Sequence, residues 1–194
     1  MSEIKGALVT LRPITKDNIE KAHEKFQQPD FWNAIQWPSP PPLDRFSYRI
    51  LKTKEICMWE MVPEFTRKVA GYVGYRAQAG VPFLFILFFD KFEVSIASEA
   101  LSPVIHHYFN ETWVQYTDFH RDFPLGIYLD RKIAKQMHQF LIENGFEPLS
   151  FVSELDNEKM IGYELRPQTY EAYYGEDDFT DDDFSEDEEL NFDY

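Results

Sequence analysis

Histidines, a cysteine, tyrosines and a block of carboxylates are the side chains of this chain whose types fit chemistry. A metal site needs two or three ligands on one face, and His23, His106, His107, His120 and His138 offer neither HxxxH nor HExxH spacing. Adjacent residues such as His106 and His107 do not share a helix face, so the histidines read as solvated or capping and no metal is expected. Cys57 lies in the apolar run Ile56-Cys-Met-Trp59 and reads as a buried strand cysteine, not a nucleophile. As the single cysteine it rules out an internal disulfide and a cysteine-only metal cage, and it fits a reducing, cytoplasmic setting.

The carboxylates are unevenly spread. The formal net charge is −15, yet residues 171–194 hold twelve acids and no Lys or Arg, which leaves residues 1–170 at −3. Like charges in a block repel and bury nothing, so residues 175–194 read as a disordered acidic tail behind a domain of residues 1–174. With aromatics set among its acids, the tail reads either as a solubiliser or as a clamp for a basic protein surface, through Asp181, Asp182, Asp183, Phe184, Glu188 and Glu189. No basic surface with interleaved aromatics is visible, so direct nucleic-acid binding is not expected. No run approaches the roughly 20 apolar residues of a membrane span. Oligomeric state leaves no mark on the sequence.

The elements that must position these groups follow from periodicity. Residues 8–12 read as a strand ended by Pro13; Thr15 then caps a helix with Ile19, Ala22 and Phe26 on one face, closed by Pro29. Trp32 and Trp37 lead into Pro38-Ser-Pro-Pro-Pro42, a stiff connector that reads as a groove wall, a partner surface or core packing. A helix over 44–52 precedes three antiparallel strands at 56–62, 69–78 and 81–89. A helix reaching 115, a strand at 123–129, a helix capped by Asp130 and stopped by Asn144-Gly145, and strands at 146–155 and 159–165 complete the domain. The order gives an α+β fold, helices packed on a mixed, mostly antiparallel sheet.

Several strings in this order resemble the GNAT acetyltransferase superfamily, especially its ribosomal-protein N-terminal acetyltransferase branch. They are Leu8-Val-Thr-Leu-Arg-Pro13, Val69-Ala-Gly-Tyr-Val-Gly-Tyr75, Ala97-Ser-Glu-Ala-Leu101 and the late helix ending Glu143-Asn-Gly-Phe146. The resemblance implies acetyl-CoA, held where backbone amides at a helix N-terminus meet its diphosphate. Counted back from Glu99-Ala-Leu101, the family's basic position falls on Phe92, its central glycine on Ser95 and its last small residue on Ala97, while Glu93 sets a carboxylate where phosphate is expected. Phe92, Val94 and Ile96 alternate with polar or small residues as in a strand, and Ser102-Pro103 reads as a helix start near 103, the alternative being a start at Ser98. The family's late-helix Asn, Ser and acidic Tyr fall on Ala134, Met137 and Leu141, all apolar.

These departures favour a GNAT-fold binding or assembly module, cellular or phage, that has lost acetyl transfer and engages a basic partner through its tail. The alternative is an acetyl-CoA-dependent N-acetyltransferase acting on a protein or small amine. In that reading Ser95, Ala97 and Ser98 contact the cofactor, and a sheet tyrosine replaces the missing acid, Tyr128 in preference to Tyr72 or Tyr75.

Overall fold

The computed structural model describes residues 1–53, 55–77, 82–113, 123–149 and 160–175. Periodicity decides most of it. β1 (Ile4–Lys5) and β2 (Val9–Pro13) form an edge hairpin against β3 (Ile56–Pro63), whose eight residues are all buried because they sit mid-sheet with helices on both faces. β4 (Gly71–Arg76) and β5 (Phe83–Phe88) follow as antiparallel neighbours; β6 (Leu125–Asp130), β7 (Glu147–Pro148) and β8 (Met160–Leu165) complete one eight-stranded sheet in the order β1-β2-β3-β4-β5-β6-β8-β7. Every pairing is antiparallel except β5 with β6. That exception is required by topology, since β5 and β6 are joined by a helical crossover and not by a hairpin.

On one face lie α1 (Ile19–Lys25), α2 (Pro29–Ala34) and α3 (Leu43–Ser47), the last continuing into a π-helical turn, Tyr48–Lys52. They bury Ile19, Ala22, Phe26 and Phe46 against Ile56, Met58, Tyr72 and Phe85 of the sheet. Two local expectations are corrected here. Thr15 does not cap α1: its own amide donates to Asn18 Oδ1 (2.7 Å), and Asn18 is the residue at the helix start. Pro29 opens α2 instead of closing α1, because a proline at the first helical position gives up only an amide that has no helical partner.

On the other face lie α4 (Val94–His107), α5 (Arg131–Glu143) and α6 (Pro167–Tyr174). α4 begins at Val94, so both the strand reading of 92–96 and a helix start at 98 or 103 are overturned. The reason is a longer pattern: Ile96, Ala97, Ala100, Leu101, Val104, Ile105, Tyr108 and Phe109 fall on one helical stripe and are all buried. An internal Pro103 costs about 3 kcal/mol, while each large apolar side chain fully buried on that stripe returns about 1.5–3 kcal/mol. Glu99 ties the helix to the sheet edge, its Oε1 accepting from the amides of Leu8 (2.8 Å) and Val9 (3.4 Å). α5 starts as expected, with Asp130 accepting from the Lys132 amide (2.8 Å), and ends at Glu143, just before Asn144 and Gly145, whose φ of 80° suits glycine.

The short α6, absent from the expected elements, docks by aromatic contact: Tyr170 stacks on Phe109 (ring centroids 4.0 Å apart), and its hydroxyl meets His106 Nδ1 at 2.8 Å. Burial lowers the His106 pKa below its ordinary value of 6.5. As pH falls through that value the unfolded chain takes up the proton first, so the stability gained from a neutral His106 is complete at higher pH and declines as pH falls. Melting temperatures are therefore expected to drop between pH 7.5 and 5.5, and to drop less in His106→Gln.

Candidate active site

The parallel pair β5/β6 is joined over only two positions, Phe83↔Gly126 and Leu84↔Ile127. Beyond them the strands stop pairing although both continue, to Phe88 and Asp130. Hydrogen-bond parity tells which groups face the resulting gap. The Phe89 amide donates to Ala70 O (2.9 Å) and the Gly126 amide to Pro82 O (2.9 Å). Residues 83, 85 and 87 therefore bond toward β4, and residues 84, 86 and 88 point toward β6. The first rung not made is Phe85 with Tyr128, in which the donor is the Ile86 amide. The opening thus presents a backbone N–H between two strands.

α4 starts at the same end. Glu93 precedes it with an extended backbone and no side-chain cap, so the amides of Val94, Ser95 and Ile96 are left outside the helical ladder. Such a terminus carries partial positive charge directed at whatever lies before it. Ser95 is exposed there. Ala97 is fully buried and its amide already donates to Glu93 O (2.9 Å). Ser98 is half-buried, its Oγ 3.9 Å from Met137 Sδ on α5. Phe92 turns inward onto Phe88, ring centroids 5.1 Å apart.

Tyr128 stands opposite the gap on β6, paired with Gly162 of β8. Its neighbours Leu125, Ile127 and Leu129 are buried toward α4 and α5, so Tyr128 lies on the α1–α3 side. A Cβ on Gly162 would come within 3.0 Å of the Tyr128 ring, so glycine provides the flat seat on which the ring rests. The ring is half-exposed. The other two candidate tyrosines are closed off. Burial, with Glu60 and Glu24 adding to it, pushes the Tyr72 phenol far up; burial, with Cys57 nearby, does the same to Tyr75, whose hydroxyl contacts His107 Nδ1 (2.8 Å) and Thr112 Oγ1 (2.6 Å). Ala134, Met137 and Leu141 are all fully buried in the core. The sequence reading missed the Ile86 amide, although the strand–helix–strand order already called for a parallel pair.

Among the described residues no group of three or more His, Cys, Asp or Glu is placed to hold a metal ion, and no helix is long and apolar enough to cross a membrane. The histidines with described contacts go to separate partners: His23 to Pro41 O (2.9 Å), His106 to Tyr170, His107 to Tyr75 and His138 to Tyr163 (3.1 Å). His120 and the tail residues Asp181, Asp182, Asp183, Phe184, Glu188 and Glu189 lie outside the described residues.

No family model matches the sequence, and no curated protein does. Solved structures do. A Bordetella pertussis protein assigned to the GnaT family of acetyltransferases superposes with a TM-score of 0.56 at 11% identity, over 85% of this chain and 99% of that one. An acetyltransferase from Agrobacterium tumefaciens gives 0.52 at 13%, over 84% and 94%. The aminoglycoside acetyltransferase AAC(6')-Ib, in complex with coenzyme A, gives 0.53 at 14%, over 84% and 98%. At such identities the likeness speaks for architecture alone: the chain has the fold of the GNAT acetyltransferases.

Proposed function

We propose that this chain is an acetyl-CoA-dependent N-acetyltransferase that binds its thioester in the gap between β5 and β6. The observation that carries the reading is the unmade rung at Ile86 beside an uncapped helix start at Val94. The residues fit such a ligand at two points: the amides of Val94, Ser95 and Ile96 face a diphosphate, and the Ile86 amide faces an acyl carbonyl. Glu93 opposes it, and as an exposed side chain it is free to turn away. When bound, acetyl-CoA supplies the activated acyl group. Ile86 N–H offers the polarising hydrogen bond, Tyr128 holds a proton at Oη beside the opening, and the α1–α3 face receives the amine. The strings shared with the ribosomal-protein branch make a protein N-terminus the favoured amine.

A second reading has its own support: Ala134, Met137 and Leu141 put no polar group on α5 toward the site, which favours a binding module whose acidic segment, residues 175–194, engages a basic partner. Isothermal titration with acetyl-CoA separates the two. Micromolar binding is expected, weakened about tenfold by Ser95→Glu through repulsion of the diphosphate; no binding at millimolar acetyl-CoA sinks the enzyme and leaves the module.

A further inference from the structure

A second site lies at the other end of the sheet. Arg76 pairs with Phe83 at the start of β5, five residues or about 17 Å along the strand from Phe88 at the mouth of the gap. Here the connector after α2 closes over α3 and leaves a pocket of about 130 Å³ lined by Trp37, prolines 38 and 40–42, Arg45, Arg49 and Arg76. The wall is fixed from several directions. Arg76 Nη1 donates to Ile35 O (3.1 Å) and Gln36 O (3.3 Å), Arg49 lies over the Trp37 ring at 5.5 Å, and both arginines meet Glu55 Oε1, at 2.8 and 3.2 Å.

Charge does not balance there. Of three guanidinium groups, those of Arg49 and Arg76 share one carboxylate, and the third, Arg45, exposed at the rim, has no ion pair among the described residues. Donors are also in excess: the Trp37 indole nitrogen is buried without a hydrogen-bond partner. In a chain of net charge −15 such a concentration of positive charge is the opposite of the overall field. Guanidinium forks match the planar or tetrahedral oxygens of carboxylate and phosphate, and proline walls lose little freedom when a ligand binds.

We infer that this pocket is an oxyanion site in which Arg45, Arg49 and Arg76 hold one phosphate or carboxylate group of a small ligand. It is separate from the thioester gap and stands whether or not acetyl-CoA binds. Calorimetric titration of the full chain with inorganic phosphate and with acetate, against sodium chloride at matched ionic strength, tests it. Saturable binding of phosphate, of acetate or of both is expected, and the stronger of the two names the chemistry. Arg45→Gln, at an exposed position, is expected to keep the wild-type melting temperature and weaken binding at least tenfold. Glu55→Gln removes the competing carboxylate and is expected to raise the anion-induced rise in melting temperature above that of the wild type. Heats from phosphate and acetate no larger than those from chloride, or an Arg45→Gln chain that binds as the wild type does, overturn the site.

Discussion

Replacing Glu55 with alanine is expected to lower stability by about 3–5 kcal/mol, the range for removing one partner of a buried ion pair. The loss comes from what remains. Glu55 is 7% exposed, and its Oε1 receives both Arg49 and Arg76, whose side chains are themselves 20% and 15% exposed. Without it two largely desolvated guanidinium groups face each other with the Trp37 ring and two backbone carbonyls as their remaining company. Spread over a domain of this size the loss corresponds to a fall in melting temperature of roughly 6–20 °C. Arg45→Gln, which breaks no pair, is expected to stay within about 0.5 kcal/mol of the wild type. A Glu55→Ala chain melting within 2 °C or so of the wild type would show that water already reaches the cluster.

The contrast between Glu55 and Arg45 also marks what the sequence disclosed. Elements built on local pattern were legible: β3 from its apolar run Ile56-Cys-Met-Trp59, α5 from Asp130 at its start and Asn144-Gly145 at its end, and the one-face stripe of α1. Elements decided by distant partners were not. α6 is held by Tyr170 on Phe109 and α4 by a stripe that packs on the sheet, and in α4 that packing outweighed the local helix-start signal of Ser102-Pro103. The same applies to the sites. Arg49, Glu55 and Arg76 are separated by 6 and 21 residues, and the register of β3 with β4 and the helical turn before β3 unite them. The gap between β5 and β6 is a property of pairing and belongs to no side chain. Reading function from the missing glycines therefore leaned on the loop, whereas the fold retains two backbone features, an uncapped helix start and an unpaired strand edge, that glycine counting does not register.

Those features make a backbone substitution the sharpest test of catalysis. Ile86→Pro deletes one amide hydrogen, and by strand parity that hydrogen points into the gap and takes no part in the ladder with β4. Proline is tolerated in a strand where its nitrogen faces no partner, as here. The fixed φ of proline departs from that of an extended strand, and a half-buried side chain is shortened, so a destabilisation of about 1–3 kcal/mol is expected with the cooperative transition kept. Acetyl transfer to an amine acceptor is expected to fall by about 10²–10³, the effect of losing one preorganised donor to a developing oxyanion, while acetyl-CoA affinity changes much less because the diphosphate is held at Val94, Ser95 and Ile96. Ile86→Val, which keeps the amide and trims the same side chain, is expected to transfer at close to the wild-type rate. Equal rates for the proline and valine chains would remove the Ile86 amide from the mechanism. A proline chain that loses affinity and rate together would instead place its effect on the shape of the gap, because uniform loss of binding is what a collapsed cleft produces and selective loss of rate is what a missing donor produces.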